Sequence, residues 1–135
     1  MPKLKWDETE FIECLEVMPE VAEHQTRHVF TVTRHGLILN VTIWQLESMV
    51  TLGLRRESSV LSLTQFTLAV RGDASLRRHK DGDYLEFTDC VVCPTRFSYM
   101  HGPGDPSDTT RFGYSLVVQV AVSPEFQIHF SEVQR

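Results

Sequence analysis

Hydrophobic residues alternate with polar ones along most of this chain, and that period of two residues constrains the fold more than any other feature. In the segment 37–44, for example, Leu39, Val41 and Ile43 would lie on one face of a strand. Similar runs, each bounded by turn-forming residues, recur from about residue 28 to residue 131. This pattern is typical of consecutive antiparallel strands that bury one face and are joined by short hairpins.

The pattern therefore predicts a mainly β fold of about eight or nine strands. We expect an antiparallel β-sandwich or a strongly curved sheet with one short N-terminal helix. The alternative is an α+β arrangement in which a single antiparallel sheet is backed by the helix. One short helix gives little cover to so many strands, so the first arrangement is favoured. The length of 135 residues is typical of a single domain, which would span 1–135.

The N-terminal segment has the period of a helix instead, over residues 8–18. Its apolar positions, spaced as one helical face requires, are Phe11, Ile12, Cys14, Leu15 and Met18. Asp7 is suited to cap the helix, Glu10 stands where a capping box places its acid, and Pro19 should end the helix. A helix of three turns is marginal alone, so it must dock on the sheet.

One strand carries a fault in its alternation. Leu61 and Leu63 are odd-numbered, whereas the apolar residues from Phe66 onward are even-numbered. A slip of one residue turns such a set out of the core. We therefore predict a β-bulge or a break near Thr64 and Gln65.

The net charge of −5 lies entirely in the N-terminal segment. Residues 1–25 hold seven acids and two bases, whereas the remaining residues hold equal numbers of each. This charge disfavours nucleic acid and anionic membranes as partners, and no apolar run is long enough to span a bilayer. A basic partner protein would suit the acidic segment, and so would a plain solvated helix face.

The three cysteines predict buried thiols in a reducing compartment. Cys14, Cys90 and Cys93 are odd in number, and the chain opens without a signal-like apolar run, so we expect a cytoplasmic protein. Cys90 and Cys93 form a CxxC pair, but residues three apart on a strand point to opposite faces. A zinc site would need four ligands. We therefore predict no metal and no cofactor.

Asp89 interrupts an apolar row formed by Leu85, Phe87 and Val91. A buried lone carboxylate is costly, so a partner or a perturbed pKa is expected, and such groups are candidates for function. Arg96 is the nearest candidate partner. The alternatives are hydrogen bonds to backbone amides at a strand end, or a bulge that carries the side chain out of the core.

The loop 101–110 is the clearest long loop, and functional residues concentrate on such loops. The candidate binding residues in and beside it are Arg96, Tyr99, His101, Asp105 and Asp108. Two carboxylates are too few for tight calcium binding, and no EF-hand pattern is present.

Trp44 and the basic run 77–80 are two further surface candidates. Trp44 points away from the face that holds Ile43. We expect the N-terminal helix to dock on the Trp44 face, and the alternative is an exposed aromatic binding site. The basic run would protect a sheet edge, and the acidic helix could also lie against it within the chain.

No catalytic motif is present: there is no nucleophile elbow, no glycine-rich phosphate loop and no H-E-x-x-H pattern. The sequence therefore favours a non-enzymatic binding or interaction module, such as a small bacterial accessory protein that binds another protein. The alternative is an enzyme or metal-dependent protein with a site near the 97–111 loop. That alternative requires Asp89 and the loop residues to converge in one pocket.

Overall fold

The structure is a computed structural model that describes residues 3–93 and 115–133. In the described part of the chain, one helix is followed by nine strands. They are α1 (Glu8–Leu15), β1 (Glu20–Ala22), β2 (Arg27–Arg34), β3 (Leu37–Trp44), β4 (Met49–Arg56), β5 (Ser62–Val70), β6 (Ala74–Arg77), β7 (Tyr84–Cys93), β8 (Leu116–Ala121) and β9 (Gln127–Glu132). The predicted mainly β fold with one short helix is confirmed.

All nine strands belong to one antiparallel sheet, in the order β1-β2-β3-β4-β5-β7-β8-β9. The long strand β7 pairs with β5 near its C-terminal end and with β6 near its N-terminal end, so these two strands share one side of it. Strand β1 precedes residue 28, where the strands were expected to begin. Three residues are too few to carry a visible period.

The sheet is strongly curved around the helix, and the packing of three phenylalanines demonstrates it. The ring centroid of Phe11 lies 5.9 Å from that of Phe30 on β2 and 5.9 Å from that of Phe87 on β7. Four strand spacings separate β2 from β7, which is about 19 Å in a flat sheet. The expected curved sheet is thus the form observed, rather than a sandwich of two separate sheets.

The core fills the concave face of this sheet. Helix α1 contributes Phe11, Cys14 and Leu15, and strands β2 to β8 contribute the inward residue of each alternating pair. The largest fully buried side chains are Phe11, Phe30, Phe87, Leu15, Leu39, Ile43, Met49, Leu52, Leu68 and Leu85. The helix thus closes the core that the strands leave open.

The start of α1 follows the prediction at one residue and departs from it at another. Asp7 is the N-cap, and its carboxylate accepts a hydrogen bond of 2.8 Å from the backbone N–H of Thr9. Glu10 does not complete a capping box. Its Oε1 instead accepts a hydrogen bond of 3.2 Å from the backbone N–H of Leu76 on β6, which ties the helix to the sheet.

The end of α1 comes three residues earlier than the predicted range 8–18. The helix ends at Leu15 because Glu16 adopts a left-handed conformation with φ of 62°, and its N–H donates to the carbonyl of Ile12 at 2.8 Å. Met18, predicted on the buried face, is 74% exposed. In the described part of the chain, no helix has both the length and the apolar character needed to cross a bilayer.

The predicted fault in β5 is present as a β-bulge. Leu54 pairs with Thr64 and Arg55 pairs with Ser62, so Leu63 is the extra residue. Leu63 is 53% exposed, because the bulge leaves the residues before it out of phase with the core.

We predict that Phe11→Ala lowers the free energy of unfolding by about 3–5 kcal/mol, because it empties the space between helix and sheet. Urea denaturation followed by circular dichroism measures the change. The matched control is Met18→Ala, an exposed site just after the helix, where we expect a change within about 0.5 kcal/mol. Equal effects of the two substitutions would contradict the central position of Phe11.

Candidate functional site

Trp44 lies on the outer, convex face of the sheet, opposite the face that receives the helix. The expectation that the helix docks on the Trp44 face is therefore wrong. The indole Nε1–H donates to Thr51 Oγ1 at 3.1 Å, and the guanidinium of Arg27 lies 5.4 Å from the ring centroid. The ring also packs on a small cluster of Met49, Ala69 and Cys93. Trp44 is half-buried by these contacts.

Asp89 lies on a β-bulge of strand β7, where the register with β8 shifts between Phe87 and Cys90. Its φ is 51°, and its side chain is 40% exposed. The bulge therefore places the carboxylate outside the core. Its Oδ1 accepts a hydrogen bond of 3.0 Å from the guanidinium of Arg71.

Gly72 makes this bulge possible by a close backbone contact. Its N–H donates to the carbonyl of Thr88 at 3.1 Å, and a Cβ at this position would lie 2.7 Å from that carbonyl oxygen.

We predict that Gly72→Ala destabilises the fold by about 1–3 kcal/mol through overpacking. In the matched control Gly53→Ala, the added Cβ meets only Gln65 Cγ at 3.9 Å, and we expect stability within about 1 kcal/mol of wild type. Thermal unfolding of both variants measures the two losses of stability. Equal losses would contradict the prediction, because they would show that the bulge can adjust to the added Cβ.

The other candidate residues named from the sequence lie outside the described residues. They are Arg96, Tyr99, His101, Asp105 and Asp108. Whether they converge with Asp89 therefore stays a prediction.

The acidic helix is held against basic strands of the same chain. Glu13 forms an ion pair with Arg78, which also pairs with Asp83, and Glu16 pairs with Arg34 at 2.8 Å. The hydrogen bonds from Arg78 to Glu13 and Asp83 raise the pKa of the guanidinium. Glu13 and Glu16 therefore contact the sheet of the same chain, and a basic partner would have to compete with Arg78 and Arg34 for them.

All three cysteines are buried, as predicted. Cys90 lies in the main core and Cys93 in the cluster on the outer face, so the CxxC pair points to opposite faces. Burial raises the pKa of Cys14 and of Cys90 to about 12 each. Thiols with such pKa values are poor nucleophiles at neutral pH.

We predict that Cys14 and Cys90 resist alkylation in the folded protein. With a pKa of about 12, only about one thiol in ten thousand is ionised at pH 8. Mass spectrometry after treatment with N-ethylmaleimide should show both thiols unmodified in buffer and fully modified in urea. Rapid modification of either thiol in buffer would show that the helix or β7 opens easily.

A concavity of about 750 Å³, which we call the N-terminal pocket, opens between the segment before α1 and the β1–β2 hairpin. Its lining includes Trp6, Glu8, Val21, Gln25, His28 and Gln45. The segment before α1 is fixed at both sides, because Leu4 N–H donates to the carbonyl of Gln45 and the Lys5 carbonyl accepts from Ala74, each at 3.0 Å.

His28 is the best-placed functional candidate that the sequence analysis missed. Its side chain is 7% exposed, and its Nε2 lies 2.9 Å from Glu8 Oε2. Its Nδ1 is buried and has no hydrogen-bond partner in the described part of the chain. The Trp6 ring packs edge-on against it at 4.8 Å between centroids. The signal in the sequence is the period of two, which places His28 on the same inward face as Phe30.

A second concavity of about 660 Å³ lies at the outer face near the β6–β7 hairpin. Its polar lining includes His79, Tyr84, Gln119 and His129. In residues 3–93 and 115–133, no three His, Cys, Asp or Glu side chains are grouped as a metal ion would require.

Comparison with known proteins gives a structural match but no match in sequence. No protein-family model matches the chain. No curated protein matches it either. A solved structure of a contact-dependent growth inhibition toxin–immunity protein complex from Klebsiella pneumoniae 342 contains a chain with a TM-score of 0.69 and 15% identity, with 97% of each chain covered. The shared property is the fold.

Proposed function

We propose that this protein is a binding module of the immunity-protein type, which acts by binding and inhibiting a partner protein. The observation that carries the proposal is the similarity over 97% of both chains to a component of a toxin–immunity protein complex. A match over nearly the whole length indicates that the two chains share their arrangement of strands. Binding through a rigid sheet requires no catalytic group.

The chemistry of the described residues supports a binding role over a catalytic one. Cys14 and Cys90 are buried thiols with pKa values of about 12, which is unsuitable for a nucleophile. In the same part of the chain, no group of side chains is arranged to hold a metal ion. The alternative of an enzyme with a site near the 97–111 loop has only Asp89 among the described residues, and Asp89 is paired with Arg71.

The charge of the chain supports the inhibitor side of such a complex. The net charge is −5, and complementary charge speeds association with a basic protein and selects against acidic ones. The predicted cytoplasmic location and the role of a small bacterial accessory protein are part of the same proposal, because an inhibitor of this type must reach its partner inside the producing cell.

The proposal is tested by co-expression with the protein encoded beside this one in its genome. We expect that protein alone to arrest growth of a bacterial host, and we expect this chain to restore growth and to elute with it as a 1:1 complex. A neighbour that is harmless, or that is toxic but neither bound nor neutralised, would overturn the proposal.

Charge reversal at one exposed acid probes the surface that the partner contacts. Glu20→Lys on β1 should weaken the complex about 3- to 10-fold at low salt, because Glu20 makes no ion pair in the described part of the chain. Glu13 and Glu16 are unsuitable, since their reversal would disturb helix docking. The matched control, Glu57→Lys in the turn after β4, changes the net charge equally at another place. Isothermal titration at two salt concentrations measures both, and equal effects would exclude a local contact.

A further inference from the structure

We propose that the N-terminal pocket receives an arginine side chain of the partner protein. This inference rests on the proposed function and identifies one anchoring contact within it. Interfaces concentrate their binding energy in a few buried anchors, and arginine is among the residues enriched there. The pocket offers the three features that a guanidinium requires, which are a flat aromatic wall, a carboxylate and neutral acceptors.

The aromatic wall is Trp6, which is held in a fixed orientation. Its ring contacts Phe11 at 5.1 Å and His28 at 4.8 Å, both edge to face, and Phe30 at 6.4 Å between centroids. Trp6 is nevertheless half-buried and lines the pocket, so part of the indole faces the open volume. A guanidinium stacks on such a surface, because it is planar and weakly hydrated.

The carboxylate is Glu8, which is both held and available. Its Oε2 is 2.9 Å from His28 Nε2, which fixes the side chain against the sheet. Its Oε1 has no hydrogen-bond partner in the described part of the chain, and the side chain is 44% exposed. A carboxylate that is already oriented loses little side-chain freedom when it accepts a second donor.

Neutral acceptors complete the set. The side-chain amides of Gln25 and Gln45 line the pocket and make no hydrogen bond in the described part of the chain. Arginine carries five N–H donors and no acceptor, so it can serve several of these groups at once, whereas lysine offers three donors and no plane to stack.

Among the described residues that line the pocket, Glu8 carries the negative charge, and no lysine or arginine opposes it there. Among the N-terminal acids, Glu13, Glu16 and Glu23 are each paired with an arginine of the same chain. Glu8 has only His28 as its ion-pair partner, and it lies at the pocket. Lys3 and Lys5 are exposed and do not line the pocket.

The probe is the peptide acetyl-Gly-Arg-Gly-amide, compared with the same peptide carrying citrulline in place of arginine. Citrulline has nearly the same shape but no charge. Two-dimensional ¹H–¹⁵N NMR follows the indole N–H of Trp6, and the indole N–H of Trp44 on the outer face is the internal reference. We expect a saturable shift of the Trp6 signal alone, with half-saturation at about 1–10 mM and at least tenfold weaker binding of the citrulline peptide.

Three variants locate the contact. Glu8→Gln removes the charge and should abolish binding of the arginine peptide, with circular dichroism as the check of folding. Val21→Phe narrows the pocket from an edge-strand residue that is 46% exposed, so binding should be lost although Glu8 and His28 are themselves retained. Glu57→Gln changes an exposed acid in the turn after β4, outside the pocket, and should bind as wild type does.

The inference is overturned if the Trp6 signal does not shift, if citrulline binds as well as arginine, or if Val21→Phe binds as wild type. The proposed function fails independently of it. A partner that is bound and neutralised equally by wild type and by Val21→Phe would refute the arginine anchor and leave the immunity-type function standing. Specific binding of the arginine peptide, without any partner that the protein neutralises, would refute the immunity-type function and leave the arginine-binding pocket standing.

Discussion

The packing of Phe11 between Phe30 and Phe87 is the contact on which the rest of the structure depends. A helix of eight residues is unstable alone, and a strongly curved sheet has a concave apolar face that water would otherwise cover. The helix covers the apolar face of the sheet, and the sheet supplies the packing contacts that stabilise the helix. The same docking fixes the segment before the helix, so the positions of Trp6 and Glu8, and with them the N-terminal pocket, follow from it.

Polar contacts then orient the helix on the concave face of the sheet. Glu10 accepts a hydrogen bond from a backbone amide of β6, Glu13 pairs with Arg78, and Glu16 pairs with Arg34. Exposed ion pairs contribute little stability each, so their main effect is on the orientation of the helix. What looked in the sequence like one acidic surface is therefore partly used in contacts within the chain.

Local pattern predicted the strands well, and it failed where the answer depended on the whole sheet. Alternation identified the β region and even the bulge at Leu63, because both are recorded in neighbouring residues. It could not tell which face would become concave, so Trp44 was assigned to the wrong one. Charge alone indicated that the acidic helix could lie against the basic run 77–80, and the pair of Glu13 and Arg78 confirms it. The two residues are 65 positions apart, so no local period identifies that pair. Alternation places His28 on the inward face, but it does not show that Glu8 and Trp6 lie beside the imidazole.

Residue-resolved hydrogen exchange tests the mutual dependence of helix and sheet most directly. If the helix and the central strands form one cooperative unit, the amides of Leu15 in α1 and of Val41 in β3 should exchange with the same free energy of opening, equal to that of global unfolding. An amide of Leu15 that opens several kcal/mol more easily than that of Val41 would show that the sheet keeps its curvature without the helix, and would contradict this account.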